Sequence, residues 1–107
     1  MVTTFNIKGE HMSQSTFVFA KITPKPEYFT QSRNAIEEII PATKSEPGCL
    51  KFTLHEDGAG SLYLYEEWSD DDALDRHHAM DYTKAVFEAY KSWLVSSPEI
   101  IKLAKLA

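Results

Sequence analysis

The sequence is poor in cysteine and has no long apolar stretch. Cys49 is the single cysteine among 107 residues, so no internal disulfide can form and a disulfide-stabilised extracellular scaffold is excluded. No apolar run approaches the roughly 20 residues that cross a bilayer. The opening MVTTFNIKGEH also lacks the apolar centre of a secretory signal. A cytoplasmic protein is therefore expected.

The sequence also has no excess of basic residues. The chain has 11 Lys and Arg residues against 16 Asp and Glu residues, which gives a net charge of −5 at pH 7. Because the acids are spread along the chain, no basic stripe is available to neutralise nucleic-acid phosphates or to hold an anionic membrane. Neither nucleic acid nor a membrane is expected as a partner.

Metal and nucleotide motifs are also absent from the sequence. His77 and His78 are adjacent, so they diverge by about 100° on a helix, and no further metal ligand follows at a matching spacing. No glycine-rich turn between a strand and a helix is present to hold a phosphate group. The sequence therefore predicts neither a metal nor a bound cofactor.

The residues that are present are typical of a single folded domain. Hydrophobic residues make up 43% of the chain and charged residues 25%, which is too apolar for a disordered protein. We assign residues 16–107 to this domain and residues 1–15 to an N-terminal extension. The extension is either outside the fold or an extra edge strand through Phe5 and Ile7.

The apolar pattern alternates between strand and helix periodicity. Strands are predicted at TFVFAKI, at CLKFTLHE and at LYLYEEW, the last two joined by a glycine-rich hairpin turn. In CLKFTLHE every second residue is apolar, so Leu50, Phe52 and Leu54 are expected on the buried face. Helices are predicted from Glu27 to Ser45, with a kink or restart at Pro41, and from Ser69, whose hydroxyl can cap the first turn. A second helical segment begins at Asp81, and Glu99 to Leu106 is predicted as a final strand rather than a short helix.

The order of these elements predicts the fold class. Strand, helix, strand, strand, helix, strand is the split βαββαβ pattern of an α+β, ferredoxin-like sandwich, an antiparallel sheet with helices on one face. The strand LYLYEEW is apolar on both faces, with Leu62, Leu64, Glu66 and Trp68 on one face and Tyr63, Tyr65 and Glu67 on the other. Since the helices cover one face only, the other face is expected to meet a second subunit.

Four segments together resemble a known family. The segments EPGCLKFTLHE, LYLYEEW, SDDDALDRH and YTKAVFEAY are similar to those of the antibiotic biosynthesis monooxygenase family, small dimeric α+β barrel proteins that include quinol monooxygenases. The helix-ending EPG with its following cysteine, and the run E-x-W-S-x-x-x-A-L-x-x-H, carry most of the resemblance. It covers about Thr16 to Leu106.

The resemblance implies a homodimer with facing sheets and a pocket between sheet and helices in each subunit. Characterised members oxidise quinols or polycyclic phenols with molecular oxygen and without flavin, haem or metal. Related branches degrade haem or isomerise a small phosphorylated dione. The haem-degrading branch depends on an asparagine in the first strand, and TFVFAKI contains none. Where many members have a second histidine after a proline, this chain has Met80-Asp81-Tyr82.

The candidate site residues follow from the chemistry of such a reaction. A phenol that has lost a proton can pass an electron to dioxygen, so a base, an apolar pocket and an aligning ring are needed. His77 is the preferred base because histidine changes charge near neutral pH, and Trp68 is placed to stack on a ring or to donate its N–H. Candidate substrate-binding residues are Glu66, Tyr65, Tyr82 and His78.

Each candidate has an alternative role in packing. For Trp68 the packing role ranks above the catalytic one, and for His77 the two are about even. His78 is also able to face inward, so the pocket-facing histidine is not decided. The alternative for Glu66 is a strand carboxylate that pairs with a lysine, and the alternative for Tyr65 is a subunit contact. Three functions stay open: a cofactor-independent monooxygenase, an isomerase using the same base, and a non-catalytic dimeric ligand-binding module.

Overall fold

The computed structural model describes residues 14–107. It contains four strands and three α-helices, whose bounds are β1 (Thr16–Ile22), α1 (Phe29–Lys44), β2 (Cys49–Glu56), β3 (Leu62–Trp68), α2 (Asp71–His78), α3 (Asp81–Trp93) and β4 (Glu99–Leu103). A short 3-10 turn, Pro26–Tyr28, precedes α1. The edge strand considered for Phe5 and Ile7 lies outside the described residues.

The four strands form one antiparallel sheet in the order β2-β3-β1-β4. The helices pack on one face of this sheet, so the α+β, ferredoxin-like sandwich is confirmed, and Glu99–Leu103 is the predicted final strand. Within residues 14–107, no helix is both long and apolar enough to cross a membrane.

The core lies between the inner face of the sheet and the helices. In β3 every second residue is buried, from Leu62 through Leu64 and Glu66 to Trp68. Val18, Ala20 and Ile22 of β1 face the same side, and the helices contribute Ile36, Leu74 and Tyr90. The two-residue periodicity of the strands therefore determines which side chains reach the interior.

Three local expectations were wrong. Helix α1 does not restart at Pro41, because it continues as one helix through this exposed residue to Lys44. The cap of α2 is Asp70 rather than Ser69, and its Oδ1 accepts from the Ala73 N–H at 2.8 Å. Leu50 is 57% exposed instead of inward-facing, because a β-bulge lies between Cys49 and Lys51.

The outer face of the sheet carries a row of partly exposed apolar side chains. The pairing of β1 with β4 aligns Phe19 with Ile101, and the two side chains are 37% and 51% exposed. Leu103, further along the same face, is 46% exposed. The Phe19 and Tyr63 rings stack with their centroids 5.8 Å apart. Nothing in the described chain covers this face, which is the surface that the sequence assigns to a second subunit.

Candidate active site

A small cavity lies between the inner face of the sheet and helices α2 and α3. Its walls are mainly apolar, and the polar side chains among them are Glu66, His77, His78, Thr83 and Tyr90. It offers about 50 Å³ to the centres of water-sized spheres. At roughly 10–15 Å³ per water molecule in this measure, that is room for about three to five waters. It lies below the roughly 150 Å³ of a cavity that binds benzene, so there is no room for several fused rings.

His77 is held at this cavity by a buried carboxylate. Its Nδ1 lies 2.9 Å from Glu46 Oε2, and the two side chains are 4% and 6% exposed. Because a carboxylate only accepts hydrogen bonds, Nδ1 carries the proton and donates it to Glu46. The neutral ring is then the Nδ1–H tautomer, which leaves the Nε2 lone pair free to accept a proton. This pairing makes His77 a base of defined orientation.

The loop that carries Glu46 is fixed in place by Gly48. Gly48 has φ +87°, in the left-handed region that favours glycine. A Cβ at this position would lie 2.6 Å from both Ala73 Cβ and Ser69 Oγ, so the loop packs directly against the start of α2. Ser69 N–H donates to the Gly48 carbonyl at 2.8 Å. The EPG segment therefore brings Glu46 to the helix that bears His77.

The start of α3 adds two hydroxyl groups to the same cluster. Tyr82 O–H donates to Glu46 Oε2, the oxygen that also accepts from His77. Burial and this hydrogen bond to Glu46 raise the pKa of Tyr82 to about 12, so the phenol keeps its proton. Thr83 Oγ1 lies 3.5 Å from His77 Nδ1. Tyr82 thus reaches the cluster through Glu46 and is not among the residues that line the cavity.

Trp68 and Glu66 form a second buried pair beside the histidine. Trp68 Nε1 donates to Glu66 Oε1 at 2.9 Å. Trp68 is fully buried and does not line the cavity, whereas Glu66 does. The Trp68 ring lies over His77 with 4.8 Å between ring centroids, and Phe52 packs edge-on against both. Trp68 therefore contacts both His77 and Glu66 from within the core.

The environment shifts the pKa of three cavity-lining groups, and burial raises that of the Tyr90 phenol, which therefore keeps its proton. Burial raises the pKa of the Glu66 carboxyl, although the hydrogen bond from Trp68 and the proximity of His77 oppose this shift. Burial lowers the pKa of His78, and His77 lowers it further. All three shifts favour the neutral form of the group. The cavity walls therefore tend to stay uncharged, which suits an apolar, water-poor reaction chamber.

The structure settles the position of the remaining candidates. His77 and His78 both line the cavity, but His77 is buried while His78 is only partly covered and packs against Phe87 at a centroid distance of 6.0 Å. Tyr65 is not brought to the cluster, because it lies on the outer face of β3 and donates to Glu67 Oε2 at 3.0 Å. The structure therefore brings together His77, Glu66, Trp68 and His78, and leaves Tyr65 on the opposite side of the sheet.

Sequence reasoning missed Glu46. The EPG segment was interpreted as a helix end, and its glutamate contacts a histidine 31 positions away. Its position beside the predicted end of α1 was the only local signal. The described residues hold no group of three or more His, Cys, Asp or Glu side chains arranged to bind a metal ion.

The fold and the cluster together define a class of protein. It is a small α+β sandwich with a histidine, hydrogen-bonded to a buried carboxylate, at an apolar cavity between sheet and helices. The sequence profile of the antibiotic biosynthesis monooxygenase family matches residues 15–89. The chain belongs to this family, as the sequence resemblance indicated.

Individual relatives agree with the family assignment. Rv0793 of Mycobacterium tuberculosis, which carries the name "Putative monooxygenase", is 30% identical over 82 residues, covering 72% of this chain and 81% of the relative. The solved structure of Rv0793 superposes with a TM-score of 0.83 over 87% of this chain and 96% of the other. PA3566 of Pseudomonas aeruginosa reaches a TM-score of 0.83 at 28% identity, over 91% of this chain and 99% of the other.

Proposed function

We propose that this protein is a cofactor-independent monooxygenase that oxidises a quinol with molecular oxygen. The observation that carries the proposal is the orientation of His77, whose Nδ1 is bound by Glu46 while its ring borders an apolar cavity. Membership of the monooxygenase family gives the reaction class. The site residues and the substrate are the parts that require experiment.

The first chemical step in this proposal is removal of a phenolic proton by Nε2 of His77. The resulting anion is electron-rich enough to pass one electron to dioxygen, and the two radicals then combine at a ring carbon. Glu46 stabilises the imidazolium ion formed in this step, in the way that a carboxylate partner stabilises a catalytic histidine. The apolar walls exclude water, which would otherwise solvate and stabilise the starting anion.

The overall reaction needs no external reductant. A hydroquinone and one O₂ molecule yield a hydroxyquinone and one water molecule, so the substrate supplies all four electrons. One oxygen atom forms the new C–O bond and the other leaves as water. Glu66 and His78 line the same cavity and are placed to bind the substrate hydroxyl groups.

The size and lining of the cavity favour one of the substrate classes considered. A space this small is closer to the size of a single-ring quinol than to that of a polycyclic phenol. The isomerase alternative requires a small phosphorylated substrate, for which a cavity walled largely by Val18, Ile36, Phe52 and Leu64 offers little compensation for the lost hydration of the phosphate. We therefore place the quinol oxidation first.

Oxygen consumption tests the proposed activity. We expect chelator-treated protein to consume O₂ with single-ring hydroquinones faster than their spontaneous oxidation, with one hydroxyquinone formed per O₂ consumed. The measurement combines an oxygen electrode with mass spectrometry under ¹⁸O₂, where the product gains one labelled oxygen atom. Quinone formation with hydrogen peroxide and no label would contradict oxygenation, and no uptake across the hydroquinones would contradict the proposed function altogether.

We further propose that two copies of the chain associate through the outer face of the sheet. Support comes from the exposed apolar side chains Phe19, Ile101 and Leu103, and from the absence of any covering element within residues 14–107. Contiguous exposed apolar surface of this kind marks an interaction site. The stacked Phe19 and Tyr63 rings would lie at the centre of this interface.

A charge on the outer face should separate the two subunits. Ile101→Glu places a carboxylate in this interface, so we expect the mass measured by light scattering to fall from that of a dimer to that of a 12.2 kDa monomer. Ile100→Glu is the matched control, since Ile100 lies next to it, is 46% exposed and faces the helix side. A dimeric mass for Ile101→Glu, or a monomeric mass for both variants, would contradict this interface.

A further inference from the structure

The cavity beside His77 shares part of its wall with a larger groove at the protein surface. Four residues line both spaces, namely Phe87, Tyr90, Pro98 and Ile100. The groove runs between the second half of α3 and the connection to β4, where Leu94, Val95, Ser96 and Ser97 form its outer part. It offers about 570 Å³ to the centres of water-sized spheres, against about 50 Å³ for the cavity.

The side chains around the junction are apolar and accessible. Phe87 is 38% exposed, Ile100 46% and Val95 63%. These exposed side chains lie on the helix side of the sheet, so the proposed dimer interface on the outer face does not account for them. Lys91, which also lines the groove, donates to Glu88 at 3.0 Å. The groove is therefore an apolar channel with a charged and hydroxylated margin.

The two adjoining spaces differ in size and lining. The cavity is the smaller and contains the side chains of Glu66, His77 and His78, whereas the groove is more open and mainly apolar apart from Lys91 and two serines at its margin. Resting on the proposed quinol oxidation, we propose that the substrate is a single-ring phenol or quinol with an unbranched apolar substituent. Its ring occupies the cavity at His77 and its substituent lies along the groove past Phe87 and Ile100.

This arrangement also explains how a cavity with few polar side chains can orient its substrate. A substituent that lies along the groove fixes which edge of the ring faces His77, because most of the other cavity walls are buried core side chains. Holding the ring in one orientation raises the rate of the reaction, and it does not require a polar contact to each ring position. Phe87 and Ile100 thereby act as specificity-determining residues.

Binding of 4-alkylphenols under nitrogen tests the groove without requiring turnover. Each fully buried methylene contributes a gain in affinity of about fourfold, and partial burial in an open groove gives less. We expect the affinity measured by calorimetry to rise about two- to fourfold per methylene from 4-methylphenol to 4-hexylphenol. A 4-tert-butyl group, which is branched at the junction, should bind more weakly than 4-butyl.

Two charge variants make the test specific. Ile100→Glu places a carboxylate at the junction, so the gain per methylene should largely disappear. Leu50→Glu is the matched control: Leu50 is 57% exposed and lines neither space, and this variant should keep the dependence on chain length. Both variants are at exposed positions, and the series on the unaltered protein stands even if one of them does not fold.

The outcomes separate the groove from the proposed function. Affinity that does not change with chain length, or that is lost equally in both variants, overturns the groove assignment and points to another occupant such as a protein segment. If the protein oxidises short hydroquinones but its affinity for 4-alkylphenols does not change with chain length, only the groove assignment is overturned and the proposed oxidation stands. A rising series in a protein that oxidises no quinol supports the ring-and-chain site and contradicts the oxygenase.

Discussion

Replacing His77 by alanine is expected to lower the rate of oxygen uptake with a hydroquinone by about 10²- to 10⁴-fold, the usual contribution of a general base. His77 is the cavity-lining group whose orientation is fixed by a buried partner, since Glu46 holds its Nδ1. Without it, no group of comparable orientation removes the phenolic proton. The measurement is initial-rate oxygen uptake by folded protein, corrected for spontaneous oxidation.

Two controls distinguish a catalytic role of His77 from a packing role. His55→Ala removes an exposed histidine on β2 and should leave the rate unchanged. Added imidazole should partly restore the rate of His77→Ala, because the alanine leaves a ring-sized space at the cavity, and a packing defect would not respond in this way. A larger loss in His78→Ala than in His77→Ala would transfer the role of base to His78. A rate of oxygen uptake that neither His77→Ala nor His78→Ala changes would contradict the proposed mechanism.

The fold was predictable because its signals are local. The alternation in LYLYEEW and TFVFAKI identifies inner and outer faces, and the structure pairs these two strands in the register that keeps the faces aligned. The errors are also local. The inward position expected for Leu50 assumes that inward- and outward-facing residues alternate without a break along β2. The bulge after Cys49 breaks this alternation, so Leu50 faces outward. Ser69 and Asp70 are both good capping residues, and sequence alone does not say which one leaves the helical conformation.

The candidate site was predictable in part. Glu66 and Trp68 share a strand face, so their proximity follows from the strand period, and their hydrogen bond joins residues two positions apart. The contact between His77 and Glu46 joins α2 to the loop after α1, and depends on how Gly48 seats that loop against Ala73. A contact of this kind depends on tertiary packing, which the spacing of apolar residues along the sequence does not predict. Tyr82 was expected at the substrate, and its hydroxyl instead supports Glu46.

The structural role of Trp68 gives the second large expected effect. Trp68→Ala removes a fully buried indole and should lower the free energy of unfolding by about 3–5 kcal/mol. Trp68→Phe keeps most of the ring but removes the N–H that Glu66 accepts, so its loss should be smaller and should depend on pH. The measurement is denaturant unfolding at one fixed protein concentration, because an associating protein changes stability with concentration.

The pH dependence of Trp68→Phe follows from the Glu66 carboxyl. Burial raises its pKa in the folded protein above the unfolded value, so its favourable contribution to stability is complete at low pH and is lost as pH rises through the folded pKa. The Trp68 hydrogen bond limits this rise in pKa, and the phenylalanine variant loses that limit. The destabilisation by Trp68→Phe should therefore be larger at pH 8 than at pH 5. In a Glu66→Gln background, Trp68→Phe should lower the free energy of unfolding by the same amount at both pH values, because the titrating carboxyl is gone. If the pH dependence persists in that background, the effect belongs to another group.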